Sequence, residues 1–194
     1  TQALADLDVT AATINLSGAT VRVDDQGGNT ATFTGAVVLG ANVTIDTDGA
    51  VDNGVSFSST IDADAAANNR TLTITAGTTA VTFGNDVGGT QALADLDVTA
   101  ATINLNASTF NVTAQGGNTA TFTGPVVLGT NVTISTDGAA DNSVQFASTV
   151  NADNEAANDR SLTITAGTGT PTFGGSIGNS QALADLDVTA ATIN

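Results

Sequence analysis

The run TQALADLDVTAATINL, Thr1 to Leu16, recurs unchanged from Thr90 to Leu105, and a third copy, SQALADLDVTAATIN, occupies Ser180 to Asn194. The spacing is 89 residues and then 90. The extra residue falls where DADAAANNR (Asp62 to Arg70) becomes NADNEAANDR (Asn151 to Arg160). A chain built this way either folds as beads or stacks its copies on one continuous core, so the period and its subdivision govern everything else. The copies divide the chain into 1–89, 90–179 and the start of a third at 180–194. The near-identity reads as tandem duplication, and the truncated third copy leads us to expect an array longer than this chain.

A period near 90 residues suits an immunoglobulin-like sandwich or several turns of a β-solenoid. A smaller motif favours the solenoid. Phe33 is followed by Val37 and then Val43-x-Ile45; Phe57 by Ile61 and Leu72-x-Ile74; Phe83 by Val87 and Leu96-x-Val98. Phe83 and Phe122 stand further apart, which leaves room for an additional turn carrying Ile103-x-Leu105. Each copy therefore divides into about four coils of the size of a β-helix rung. Apolar residues alternate with Thr, Asp or Ser over short runs such as Thr71-Leu72-Thr73-Ile74, the period of a strand with one face inward. No helical period is present, and the 21 glycines gather with Asn and Asp between the runs, where corners need them. At ~4.8 Å per strand the chain would make a rod of about 42 Å. Phe33, Phe57 and Phe83, with their counterparts Phe122, Phe146 and Phe173, read as rings stacked along one inner column. Phe110, standing where the first copy has Val21, breaks that column. The expected fold is all-β, a right-handed parallel β-helix of about four coils per 89-residue repeat, with tandem immunoglobulin-like sandwiches as the alternative.

Composition narrows the chemistry. Among 194 residues there is no Cys, His, Met, Trp, Tyr or Lys, the only cations are Arg22, Arg70 and Arg160, and the formal net charge is −16. Disulfides, imidazole or thiolate metal sites, serine–histidine and cysteine–histidine nucleophiles and lysine Schiff bases all need side chains that are missing. Phosphate contact needs clustered Lys or Arg, so nucleic acid and anionic membrane surfaces are not expected partners. No stretch approaches the ~18 apolar residues of a bilayer span.

The run Leu72 to Leu105, LTITAGTTAVTFGNDVGGTQALADLDVTAATINL, together with coils of the type TATFTGAVVLG, resembles the β-strand repeats of very large bacterial surface proteins of the filamentous-haemagglutinin-like kind. The resemblance covers essentially the whole chain. It implies a right-handed parallel β-helix serving as the shaft of an exported adhesin, fibre or cell-surface layer, with no catalytic residues to carry over.

Four groups of residues are candidate sites. Asp46, Asp48 and Asp52 surround Gly49, and Asp137 and Asp141 surround Gly138 in the second copy. Several hard oxygens beside a glycine suit Ca²⁺, although the second copy has Ser135 in place of Asp46 and neither matches a twelve-residue EF-hand loop. An Asp–Gly turn solvated at a coil corner accounts for the same residues. The doublets Asp6/Asp8, Asp95/Asp97 and Asp185/Asp187 could suggest paired-carboxylate glycan chemistry, but an active site occurs once and this pair recurs in every copy. Outward charge of this kind resists lateral aggregation. Threonine arrays such as Thr30-x-Thr32-x-Thr34 and Thr71-x-Thr73-x-Thr75 suggest an ordered face of the ice-binding kind, and β-propensity explains them equally. Asn-x-Ser/Thr sequons at Asn15, Asn42, Asn69, Asn106, Asn111 and Asn131 indicate surface exposure.

The sequence thus leads to a non-enzymatic, extracellular or cell-surface structural protein, the shaft of a bacterial fibre, adhesin or filament. No cofactor is required, and Ca²⁺ is the one ligand the turns could take. Expected partners are further copies of the repeat, end to end or side by side, and a host or neighbouring cell surface, without nucleic acid and without membrane insertion. The rival readings are a calcium-dependent string of adhesive modules and a β-helix enzyme acting on polysaccharide.

Overall fold

A computed structural model describes residues 2–154 and 159–194; Thr1 and part of the polar loop that takes the extra residue lie outside it. The described residues form strands, turns and bends and no helix. Every strand pair in the ladder is parallel, which excludes the antiparallel sandwich. The chain winds as a three-faced solenoid.

The first face stacks Asp8–Leu16 through its early residues on Thr30–Leu39, then Gly54–Phe57, Ala80–Phe83, Thr102–Leu105, Val126–Leu128 and Val150–Ala152. Going along the chain, the second face follows it. There the later halves of the two long strands pair, Thr13 with Ala36 to Leu16 with Leu39, and Leu39 lies on Ala63 of Ile61–Ala63. Val87 bridges Ile61 and Phe110, and Thr109–Asn111, Val132–Ser135, Ser161–Gly167 and Asp185–Ala190 complete that face. The third face runs Thr20–Arg22, Val43–Asp46, Thr71–Thr75, Asp95–Thr99, Thr119–Thr123, Ser143–Phe146 and Pro171–Phe173. The motif read from the sequence is one full turn: Phe33 on the first face, Val37 on the second, Val43 and Ile45 on the third.

Alternation decides which side chains go inward. Thr71–Thr75 and Ser161–Gly167 bury every second residue, leaving Leu72, Ile74, Leu162 and Ile164 inside and threonines outside. The inner residues of all turns form one hydrophobic cluster from Ile14 to Ala166, with no break between copies. At about 25 cal/mol per Å² of apolar surface, this shared core is the main source of stability, because each coil covers only its neighbours.

The expected count of about four coils per copy resolves into a fraction. From Asp8 to the equivalent strand Asp95–Thr99 the chain visits eleven face positions, counting Val87 as one rung. On three faces, eleven positions make three and two-thirds turns, so 89 residues give about 24 per turn. The same count, with Ile177 in place of Val87, separates Asp95–Thr99 from Asp185–Ala190. A copy therefore starts one face away from its predecessor: Asp8 on the first, Asp97 on the third, Asp187 on the second. Eight rungs on the first face, Ile177 included, occupy roughly 38 Å at ~4.8 Å each, a little short of the 42 Å expected.

This offset also corrects the single phenylalanine column. Phe33, Phe57 and Phe83 stack on the first face with centroids 5.0 and 5.8 Å apart, whereas Phe122, Phe146 and Phe173 stack on the third, 5.2 and 5.5 Å apart. Phe110 does not break the series but joins it. Projecting from the second face, it meets Phe83 edge-on at 5.5 Å and Phe122 edge-on at 6.2 Å, so seven rings run continuously through the interior.

Candidate functional site

Four of the five aspartates singled out as cation ligands, Asp48, Asp52, Asp137 and Asp141, sit at corners. Within the long strand Thr30–Leu39 the chain turns from the first face to the second at Gly35, whose φ is 143° and whose missing Cβ leaves room for the carbonyl of Ala11. Gly124, with φ 140°, makes the corner from the third face to the first in the same way against the carbonyl of Ala100. Only glycine combines that backbone angle with so close an approach.

The Asp–Gly turns form another set of corners. Asp52 accepts hydrogen bonds from the Thr78 hydroxyl at 2.6 Å, the Thr78 amide at 2.7 Å and the Gly49 amide at 3.1 Å. Asp141 accepts the same three from Thr168 and Gly138, at 2.6, 2.7 and 3.1 Å. The Thr78 and Thr168 hydroxyls, ahead of the amides, hold the two carboxyls below their ordinary range. Each carboxylate thus joins its own turn to the turn one coil later. Asp46 lies elsewhere, on the strand, 3.7 Å from Arg22, which has Asp24 as its closer partner at 2.6 Å. Asp48 and Asp137 are exposed, and the Asp48 amide donates to Asp46 at 3.3 Å. Among the described residues no three acidic side chains converge as a metal would need.

Other acids bind backbone in the same way. Asp62 accepts from the amides of Thr90 at 2.7 Å and Gln91 at 3.0 Å, and Asn151 takes its place for Ser180 and Gln181. Asp86 accepts from the Ser108 amide and hydroxyl and from the Thr109 amide. Asp64 and Arg70 form a two-pronged ion pair with both contacts at 2.8 Å, closing the polar loop, and Asp153 with Arg160 repeats it. The Arg70 guanidinium holds the Asp64 carboxyl well below the usual carboxylate range.

Two asparagines that sequence reading passed over do the deepest polar work. Asn53 and Asn142 are 0% and 1% exposed. Asn53 donates through Nδ2 to the carbonyls of Val23 at 2.9 Å and Gln26 at 2.8 Å, and its Oδ1 accepts from the Asn29 amide at 3.0 Å. Asn142 makes the matching contacts with Val112, Gln115 and Asn118. Asn29 and Asn118 reach one coil further back, to the carbonyls of Ala5 and Ala94. The sequence signal was the same Asp-Asn pair after each Asp–Gly turn, at Asp52-Asn53 and Asp141-Asn142.

The acidic doublets lie on strand surfaces, except that Asp6 precedes the first strand. Asp97 has Thr73 and Thr121 as its ladder neighbours, Asp8 has Thr32 and Asp187 has Thr163, so no doublet stacks directly on another. Asp95 is the exceptional member. Partial burial, with the adjacent Asp97 charge second, pushes its carboxyl up to about 6. Threonines share these columns without filling them: the sequence across the third face is Thr20, Thr44, Thr73, Asp97, Thr121, Gln145, Thr172. Of the sequons, Asn15 and Asn111 sit on strands, and the Asn111 Oδ1 accepts from the Thr113 hydroxyl at 2.8 Å.

The two ends differ from the middle. Leu4, Leu186 and Ile193 are 50%, 38% and 52% exposed, whereas their internal counterparts Leu93, Leu96 and Ile103 are 0% exposed. A concavity lined by Gln2, Leu4, Leu7, Thr20, Val21 and Arg22 is the open mouth of the apolar interior at the amino-terminal coil. Among the described residues no helix is long and apolar enough to cross a membrane. No protein-family model matches the chain, and neither a curated protein nor a solved structure shows significant similarity to it.

Proposed function

We propose that the protein is a structural spacer, a rod-like segment of the shaft of a bacterial surface fibre, adhesin or filament, working outside the cell and without catalysis. The observation that carries this reading is the unbroken interior: one hydrophobic cluster and parallel ladders pass through both copy boundaries, so additional copies lengthen the rod without new chemistry. The placement of the acids supports it. Asp52, Asp62, Asp86 and Asp141 spend their oxygens on the backbone of the adjacent coil, a mechanical use of carboxylates. Leu4, Leu186 and Ile193 are the residues that a further coil covers inside the chain, so partner copies meeting end to end would bury them. A surface carrying sixteen net negative charges suits saline surroundings, where screening over about 8 Å limits self-repulsion.

Electron microscopy and fibre diffraction of chains linked in tandem test the proposal. A smooth shaft with an axial reflection near 4.8 Å is expected. Beads joined by hinges would overturn it. Melting in Ca²⁺ and in chelator is expected to coincide, and a large stabilisation by Ca²⁺ would favour the adhesive-module reading instead. Turnover of an acidic glycan at high protein concentration would favour the enzyme.

A further inference from the structure

Eleven face positions on a three-faced coil do not close. Each copy therefore begins a third of a turn out of phase with the one before, and the Asp-Leu-Asp strand occupies three different faces in the three places where it occurs. We infer that an array of this repeat is a rod with a threefold screw, which displays each once-per-copy surface group on all three sides in succession. The rise is about 18 Å per copy, from three and two-thirds coils at ~4.8 Å, and the original face returns after eleven coils, about 53 Å. The acidic doublet, the Asp–Gly corner and the Asp64–Arg70 loop all obey it, since each belongs to one position in the eleven.

The consequence is an interaction surface that winds around the rod. A partner lying along one side meets the same patch only at every third copy, about 53 Å apart, whereas partners surrounding the rod each meet an equivalent set. The inference deepens the rod reading and rests on it.

The absence of cysteine makes site-directed spin labelling clean. Thr10 and Thr99 are equivalent, exposed residues at the ends of equivalent strand segments on different faces. Thr10 and Asn106 are both exposed and lie on one face, four rungs apart through Val9, Phe33, Phe57, Phe83 and Leu105. Electron–electron distances would be measured in the full chain for T10C/T99C and T10C/N106C, with circular dichroism confirming strand content. The same-face pair should read about 19 Å, and the equivalent pair roughly 10 Å longer despite its smaller axial separation. T99C/T189C should match T10C/T99C. An equivalent pair no longer than the same-face pair would overturn the screw and leave the rod standing. A same-face distance far from 19 Å would overturn the solenoid itself, and the rod reading with it.

Discussion

Asn53 shows how much a single side chain does at a coil corner. Removing its amide takes away the partner of the Val23 and Gln26 carbonyls and of the Asn29 amide. Each orphaned group costs about 1–3 kcal/mol, so Asn53→Ala should lower the unfolding free energy by about 3 kcal/mol, read by urea denaturation, and Asn142→Ala by a similar amount. Asp95 gives the pH dependence. Its carboxyl is raised above the value of an unfolded chain, so the stability it contributes is complete below about pH 4 and is lost as pH rises through about 6. Water screening of a half-exposed group holds the effect to about 1 kcal/mol. Asp95→Asn should therefore flatten the loss of stability between about pH 4 and 7, measured as melting temperature against pH. Asp52, Asp64 and Asp141 act with the opposite sign: their lowered carboxyls stabilise above about pH 4 and release that stability as pH falls further. These roles were only partly legible. The Asp–Gly corner was visible in the sequence as a cluster of oxygens, but the partner that engages Asp52 is Thr78, one coil away, and nothing in local spacing reveals coil register.

At the level of strands and columns, the interior stack is the element most exposed to test. Phe57 lies between Phe33 and Phe83 with 1% exposure, and Phe57→Ala should cost about 3–5 kcal/mol by leaving a cavity between stacked neighbours. Phe110→Val should cost less, about 2 kcal/mol, because valine keeps part of the buried volume that alanine gives up; chemical denaturation of the two variants side by side checks the order. The strands themselves were readable, since alternation over three to five residues leaves little choice of face. Their number was not. Val87 and Ile177 are rungs made of one bridged residue, too short to register as strands, and the long strands Asp8–Leu16 and Thr30–Leu39 each serve two faces. Counting by phenylalanine also presumed that equivalent rings share a column. The seven rings change faces midway, and the substitution that looked like an interruption, Phe110, is the contact that carries the stack across.

For the whole molecule, charge sets the terms. Sixteen net negative charges on 7970 Å² of surface, with each of the three arginines paired to aspartate, leave strong self-repulsion at low ionic strength. Raising salt from about 0.01 M to 0.15 M shortens the screening length from about 30 to 8 Å, so the melting temperature should rise by several degrees, followed by circular dichroism. A flat or falling response would mean that the ion pairs of Arg70 and Arg160 outweigh the repulsion. Solenoid architecture was legible here because repetition and alternation agree; phase between copies was not, because it depends on a remainder after division by three. That remainder couples length to orientation. In a tandem array of this repeat, one copy more or less moves the far end about 18 Å and also swivels it through a third of a revolution. Only gains or losses in multiples of three leave the far end facing as it did before, so copy number in such an array sets orientation as well as length.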